Sequence, residues 1–156
     1  MITLLTTAAD TIWWWRTEGG AVMQIGSACT LVSYSPSQAF LVSWNQNSDE
    51  TIGLQDERFK FDNEQFTVAV RINGSALSGN LTGSGNGNML TVPVSPIDSL
   101  LPRAAEVQVQ LANAHTDSAV TVPVNTAKMP TLLAAVAKCR AATLGQPPPR
   151  DGTPSQ

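Results

Sequence analysis

Few side chains in this chain are equipped for chemistry. The only histidine, His115, sits in Asn113-Ala114-His115-Thr116-Asp117-Ser118, a run that reads as a solvated hairpin turn. No G-x-S-x-G elbow supplies a nucleophile for it. A Cys–His pair would need a lowered thiol pKa, whereas Cys29 and Cys139 both lie in apolar stretches that raise it. One His and two Cys without a CxxC pair cannot furnish four zinc ligands, and no calcium loop is present, so no metal is expected. The acids Asp49, Glu50, Asp56, Glu57, Asp62 and Glu64 are numerous enough for paired-carboxylate hydrolysis, which needs two carboxyls at a fixed separation with one pKa raised. They cluster beside Arg58 and Lys60 and read better as polar hairpin tips. The run Gly83-Ser84-Gly85-Asn86-Gly87-Asn88 lacks the lysine and following helix of a phosphate loop, and reads as a flexible hairpin loop. No cofactor is expected. Asn73-Gly74-Ser75 and Asn80-Leu81-Thr82 match glycosylation acceptors, unsurprising in a chain so rich in Asn, Ser and Thr.

Two features remain. Cys29 and Cys139 form one bridge in an oxidising compartment, or are two buried small hydrophobes in the cytosol. Their places on apolar segments at opposite ends of the domain favour the bridge. The second feature is Trp13-Trp14-Trp15. Successive residues of a strand face opposite sides, so three adjacent Trp cannot all enter one core. At least one must meet a second layer, water or a partner, and Trp is enriched in binding hot spots. Packing beneath a helix or inside a homodimer is the alternative.

The elements that must position these residues are mostly strands. Candidate strands cover 11–16, 21–25, 29–34, 39–44, 51–54, 58–61, 67–72, 77–82, 89–94, 106–111 and 119–124. Phe66, Val68, Val70 and Ile72 alternate with polar or small residues, as do Val107, Val109 and Leu111, the period of half-buried antiparallel strands. Asn73-Gly74 suits a tight hairpin. Ser95-Pro96 starts a short helix near 96–101. A second helix near 129–142 carries Met129, Leu132, Leu133, Val136 and Cys139 on one core-docking face, with Pro130 in its first turn. Thr91-Val92-Pro93-Val94 and Thr121-Val122-Pro123-Val124 each read as an edge strand feeding a helical segment. The fold class is therefore all-β and mostly antiparallel, a β-sandwich-like domain or partly open barrel. Residues 1–144 form one domain, and the Pro-rich run 145–156 reads as a disordered tail.

Composition narrows the function. The chain has 156 residues, 42% hydrophobic and 13% charged, with a net charge of −3. Roughly 25% charged is usual for globular domains. An acidic balance argues against nucleic acid as a partner. The apolar runs fall far short of the ~20 residues of a membrane span. The first residues hold no Lys or Arg before Arg16 and only a short apolar start, so no signal peptide is expected in this chain.

The layout resembles the invasion-associated locus B-like group of small secreted or periplasmic bacterial proteins. The resemblance rests on Cys29 in CTLVSY, the strands AFLVSW and FTVAVRING, the segment at Leu100-Leu101, the strand EVQVQL and a final helix LLAAVAKC ending at Cys139. It implies a β-rich, non-enzymatic envelope or exported protein, and carries no catalytic residue. Residues and resemblance together lead to a periplasmic or secreted binding protein with one disulfide, an unidentified protein partner and Trp13, Trp14 and Trp15 as the interaction surface. An inhibitor or immunity protein acting through an exposed loop, 83–88 or 46–50, is the alternative; a carboxylate-dependent hydrolase is a further one.

Overall fold

Apolar runs too short for helices, punctuated by Gly, Asn and Ser-Pro turns, fold as antiparallel strands. A computed structural model describes residues 11–145. The tail expected over 145–156 lies outside these residues apart from Gly145, which ends the last helix. In chain order the elements are β1 (Thr11–Thr17), β2 (Gly20–Ile25), β3 (Ala28–Tyr34), β4 (Gln38–Trp44), β5 (Glu50–Asp56), β6 (Phe61–Ile72), β7 (Ser75–Ala76), β8 (Leu81–Gly87), β9 (Met89–Val94), β10 (Glu106–Ala112), β11 (Asp117–Pro123) and α1 (Met129–Gly145). They form one antiparallel sheet in the order β1-β2-β3-β4-β5-β9-β8-β6-β10-β11, with β7 hairpinned onto β6. The turn between β6 and β7 is Asn73-Gly74, both at positive φ, as a tight hairpin requires.

The sheet curls so that one face of nearly every strand meets a single core. Val22, Leu31, Phe40, Ile52, Leu90, Val68, Val109 and Val122 come from eight different strands and share that core. Beside the curl, Gln38 Nε2 of β4 donates to Thr121 O of β11 at 3.0 Å. The outer strands β1 and β11 do not pair with each other, so the all-β sheet stays open.

Helix α1 lies against β1, β2 and β3. Its buried residues Met129, Leu132, Val136 and Cys139 follow the helical spacing of the sequence, and Pro130 stands in the first turn. Asn125 Oδ1 accepts from Lys128 N at 3.3 Å, capping a 3-10 turn that leads into the helix. Cys139 is bonded to Cys29 of β3, with Cα atoms 6.1 Å apart. The bridge therefore ties the last element to the third strand.

Four expectations are corrected. The short helix expected over 96–101 is instead a turn followed by one 3-10 turn, Leu101–Arg103. Pro102 lies inside that turn, where it cannot donate an α-helical hydrogen bond, and Ile97 N–H is taken by the Glu50 side chain. The strand expected at 58–61 is a turn up to Phe61, because Arg58 folds back onto Asp56. The glycine-rich loop expected at 83–88 is mostly strand β8. A Cβ on Gly85 would lie 2.6 Å from the Phe61 ring, and one on Gly83 2.7 Å from Val68. These glycines make room for side chains of the neighbouring strand rather than for loop motion. Of the two TVPV segments, β11 is an edge strand as read, whereas β9 lies between β5 and β8. Pro93 is tolerated there because the β8 pairing stops at Thr91.

Two outcomes follow. Removing the bridge, by reduction or as Cys29→Ala/Cys139→Ala, closes no loop across 110 residues and should cost about 2–5 kcal/mol in urea unfolding; an unchanged midpoint would contradict its role. Gly85→Ala should cost about 1–3 kcal/mol through overpacking against Phe61 and Phe66, whereas a solvent-exposed control such as Gly74→Ala tests backbone strain alone.

Candidate interaction surface

The three tryptophans are sorted by one irregularity in β1. The pairing with β2 runs Trp13↔Met23 and then Trp15↔Val22, so Trp14 is the extra residue of a β-bulge. Paired residues share a face. Trp13 therefore lies with Met23 on the outer face. Trp14 turns inward, packs against the main core and donates from Nε1 to Gln24 Oε1 at 3.0 Å. Gln24 is fully buried and passes the bond on to Gly26 O at 3.0 Å. Trp15 stands opposite the inward-facing Val22 but at the sheet margin, 43% exposed. Among the described residues it is the large hydrophobic side chain left in solvent.

Around Trp13 the outer face carries a second apolar cluster. Met23, Val32, Ala39 and Leu41 are buried there, ringed by the partly exposed Trp13, Ile25, Tyr34 and Met89. The Arg16 guanidinium lies 4.1 Å from the Trp13 ring centroid, a cation–π contact. This cluster was not expected from alternation, although the near-continuous apolar runs of β2, β3 and β4 are the signature of strands buried on both faces.

The two sheet edges differ. β11 contains Pro123, which removes a donor, and begins at Asp117; Gln38 further occupies Thr121 O. Prolines, charges and covering groups are the devices that blunt an edge. β1 has no proline and one charge, Arg16. Among the described residues its outer side has no strand neighbour.

The acids are used elsewhere and separately. Asp56 is 1% exposed and accepts from Arg58 Nε at 3.0 Å, Arg58 NH2 at 2.7 Å, Arg58 N at 2.8 Å and Gln38 Nε2 at 2.9 Å. The Arg58 hydrogen bonds hold its pKa down to about 2, against a smaller opposing effect of burial. Glu64 accepts from Asn113 Nδ2 at 3.3 Å and from Asp62 N at 3.3 Å. Glu50, at the far end of β5 from Asp56, about 20 Å at ~3.3 Å per residue, is the acid with a raised pKa. Burial is the main cause, the Ile97 N–H at 3.0 Å opposes it, and Asp98 adds to it while Arg140 subtracts. Asp56 and Glu64 thus meet different partners, an arginine fork and the Asn113 amide. His115 is exposed in a turn whose amides bond Asn113 Oδ1. Asn73, one of the matched glycosylation acceptors, has its amide committed: Nδ2 donates to Arg103 O and Oδ1 accepts from Ala105 N and Glu106 N. Among the described residues no three His, Cys, Asp or Glu gather to hold a metal, and no helix is long and apolar enough to cross a membrane.

The two shifted acids act on stability in opposite senses. The raised pKa of Glu50 means that protonation favours the fold, so stability rises as pH falls through that pKa. The depressed pKa of Asp56 gives stability that is present above about 4 and lost as pH falls toward about 2. Urea midpoints followed from pH 7 to pH 2 should pass through a maximum in the acid range. Glu50→Gln should flatten the limb above the maximum. Asp56→Asn should flatten the limb below it and cost about 1–3 kcal/mol at pH 7, as expected for lost hydrogen bonds to a charged group.

Compared with known proteins, this chain matches no family model, no curated protein and no solved structure.

Proposed function

We propose that this chain is a non-enzymatic binding protein of an oxidising compartment, periplasmic or extracellular, that takes a protein partner along the β1 edge. The observation that carries the reading is the bulge at Trp14, which sets Trp13 and Trp15 on opposite faces of an unblunted edge strand. An extended segment laid beside β1 would pair with its outer backbone groups, which have no strand neighbour among the described residues, and be gripped by one indole above and one below. Main-chain pairing supplies affinity in such strand addition, and side chains on alternate faces supply specificity. The outer cluster around Met23 and Val32 extends the apolar surface that a partner would cover. The Cys29–Cys139 bond supports the compartment, since stable disulfides belong to oxidising environments. The resemblance of the strand and cysteine layout to the invasion-associated locus B-like proteins points the same way.

The test places a photoreactive residue at Trp15 and, as a control, at Thr121 on the opposite edge, in cells that make the protein. A single adduct from position 15 and none from 121 is the expected result; its mass identifies either a different protein or a second copy of this chain. Trp15→Ala should then weaken that complex on the order of tenfold or more, the cost of a hot-spot Trp. The urea midpoint should stay within about 0.5 kcal/mol, as for exposed positions. Equal labelling from both edges, or fractionation of the protein with reduced cytosolic material, would overturn the reading.

A further inference from the structure

A second recognition site lies at one end of the outer cluster, where three connections meet. The β1–β2 turn contributes Glu18 and Gly19, the β3–β4 turn Tyr34, Ser35 and Pro36, and the link from β11 to α1 Asn125 and Lys128. Together they enclose a cleft of about 530 Å³, within the usual size of small-ligand pockets. The walls are fixed. Tyr34 N donates to Gly19 O at 3.0 Å, the Tyr34 hydroxyl to Thr17 O at 3.1 Å, and Asn125 N to Ser33 Oγ at 3.0 Å. Gly19 stands at φ +80°, and a Cβ there would project to within 3.7 Å of Asn125 Nδ2 and 3.8 Å of Lys128 Nζ. Its bare backbone keeps the space beside those two groups open.

The charges in this cleft are the informative part. Lys128 Nζ donates to the main-chain oxygen of Glu18, not to its carboxylate. An ammonium has three donors, so two remain. Among the described residues the Glu18 carboxylate has no ion-pair or hydrogen-bond partner. One positive and one negative group therefore rim the same cleft without a direct ion pair between them. A simple anion drawn to Lys128 meets Glu18, and a simple cation meets the reverse. A ligand carrying both charges satisfies both.

We propose that this cleft binds a small zwitterion: an α-amino acid or short peptide with free termini and an apolar side chain. The ligand carboxylate lies on Lys128 Nζ and the Asn125 amide, its ammonium on Glu18, and its apolar part on the Tyr34 ring and Pro36. The cleft adjoins the outer cluster through Tyr34, but its ligand groups are Glu18, Asn125 and Lys128 rather than the tryptophans, so its failure leaves the β1 reading standing.

The experiment is an NMR titration of the oxidised full chain, following the amides of Gly19, Ser35 and Asn125. The probes are alanyl-phenylalanine, its N-acetyl derivative, its C-terminal amide, and free phenylalanine. The free dipeptide should give saturable shifts with Kd on the order of 1 mM or below, and each blocked form should bind at least about tenfold more weakly. Lys128→Met should erase the discrimination against the amide, and Glu18→Gln that against the acetyl form, with shifts elsewhere unchanged as the check on folding. Phenylalanine binding as well as the dipeptide would support the site and narrow its ligand to a single amino acid. Equal binding of all three dipeptide forms, no saturable shift, or unaltered selectivity in both variants would overturn it.

Discussion

The bond between Cys29 and Cys139 allows the first strands to be apolar on both faces. β2 and β3 present Val22 and Leu31 inward to the main core, where α1 packs against them. That helix is a modest lid. Much of its buried face is small, Ala135, Ala142 and Cys139 among the larger Met129, Leu132 and Val136. Side chains of that size bring little transfer free energy. Attachment at two points makes up the difference. At the start of the helix Asn125 caps the leading turn and its N–H bonds Ser33 Oγ; near the other end the sulfurs join β3. Beyond the bridge Arg140 reaches Ser48 and Asp98, gathering two loops against the same end of the helix.

With so few charges, turns in this chain are fixed mainly by amide side chains. Asn45 Oδ1 accepts from Asn47 N and Asp49 N, and Asn113 Oδ1 from His115 N and Thr116 N. Asparagine mimics a backbone turn in this way without adding charge. Amides do not titrate; the carboxylates Asp56 and Glu50 do, and both are shifted by their surroundings. Their shifts oppose each other because one is met by an arginine fork and the other chiefly by loss of water.

Where one face is buried and the other wet, the sequence is easily read. Val68, Val70 and Ile72, and Val107, Val109 and Leu111, stand where their alternation put them, and α1 buries the stripe that ends in Cys139. Legibility fails where a partner distant in sequence decides the outcome. Gly83 and Gly85 look like loop residues until Val68 and Phe61 are seen to need their space. Glu50 looks like one acid among several until Ile97 N–H is found on its carboxylate. Arg58 reads as a strand residue, yet its own neighbour Asp56 holds it in a turn. Of the candidate surface, three adjacent Trp announced that they must separate, but not which would be left in water. That depends on the bulge, and a bulge is one extra residue that no local pattern marks.

The same bulge restricts what β1 can accept. A regular edge pairs with any extended chain in several registers, which is why exposed edges lead to aggregation. In β1 the ladder is interrupted at Trp14, so a partner strand can pair smoothly only on either side of that residue. Self-pairing about a two-fold axis through the strand centre would set one bulge against another. A heterologous strand with its own irregularity opposite Trp14 meets no such conflict. An edge interrupted in this way narrows the registers in which any extended chain could pair with β1, and it leaves Trp13 and Trp15 on opposite faces of the strand.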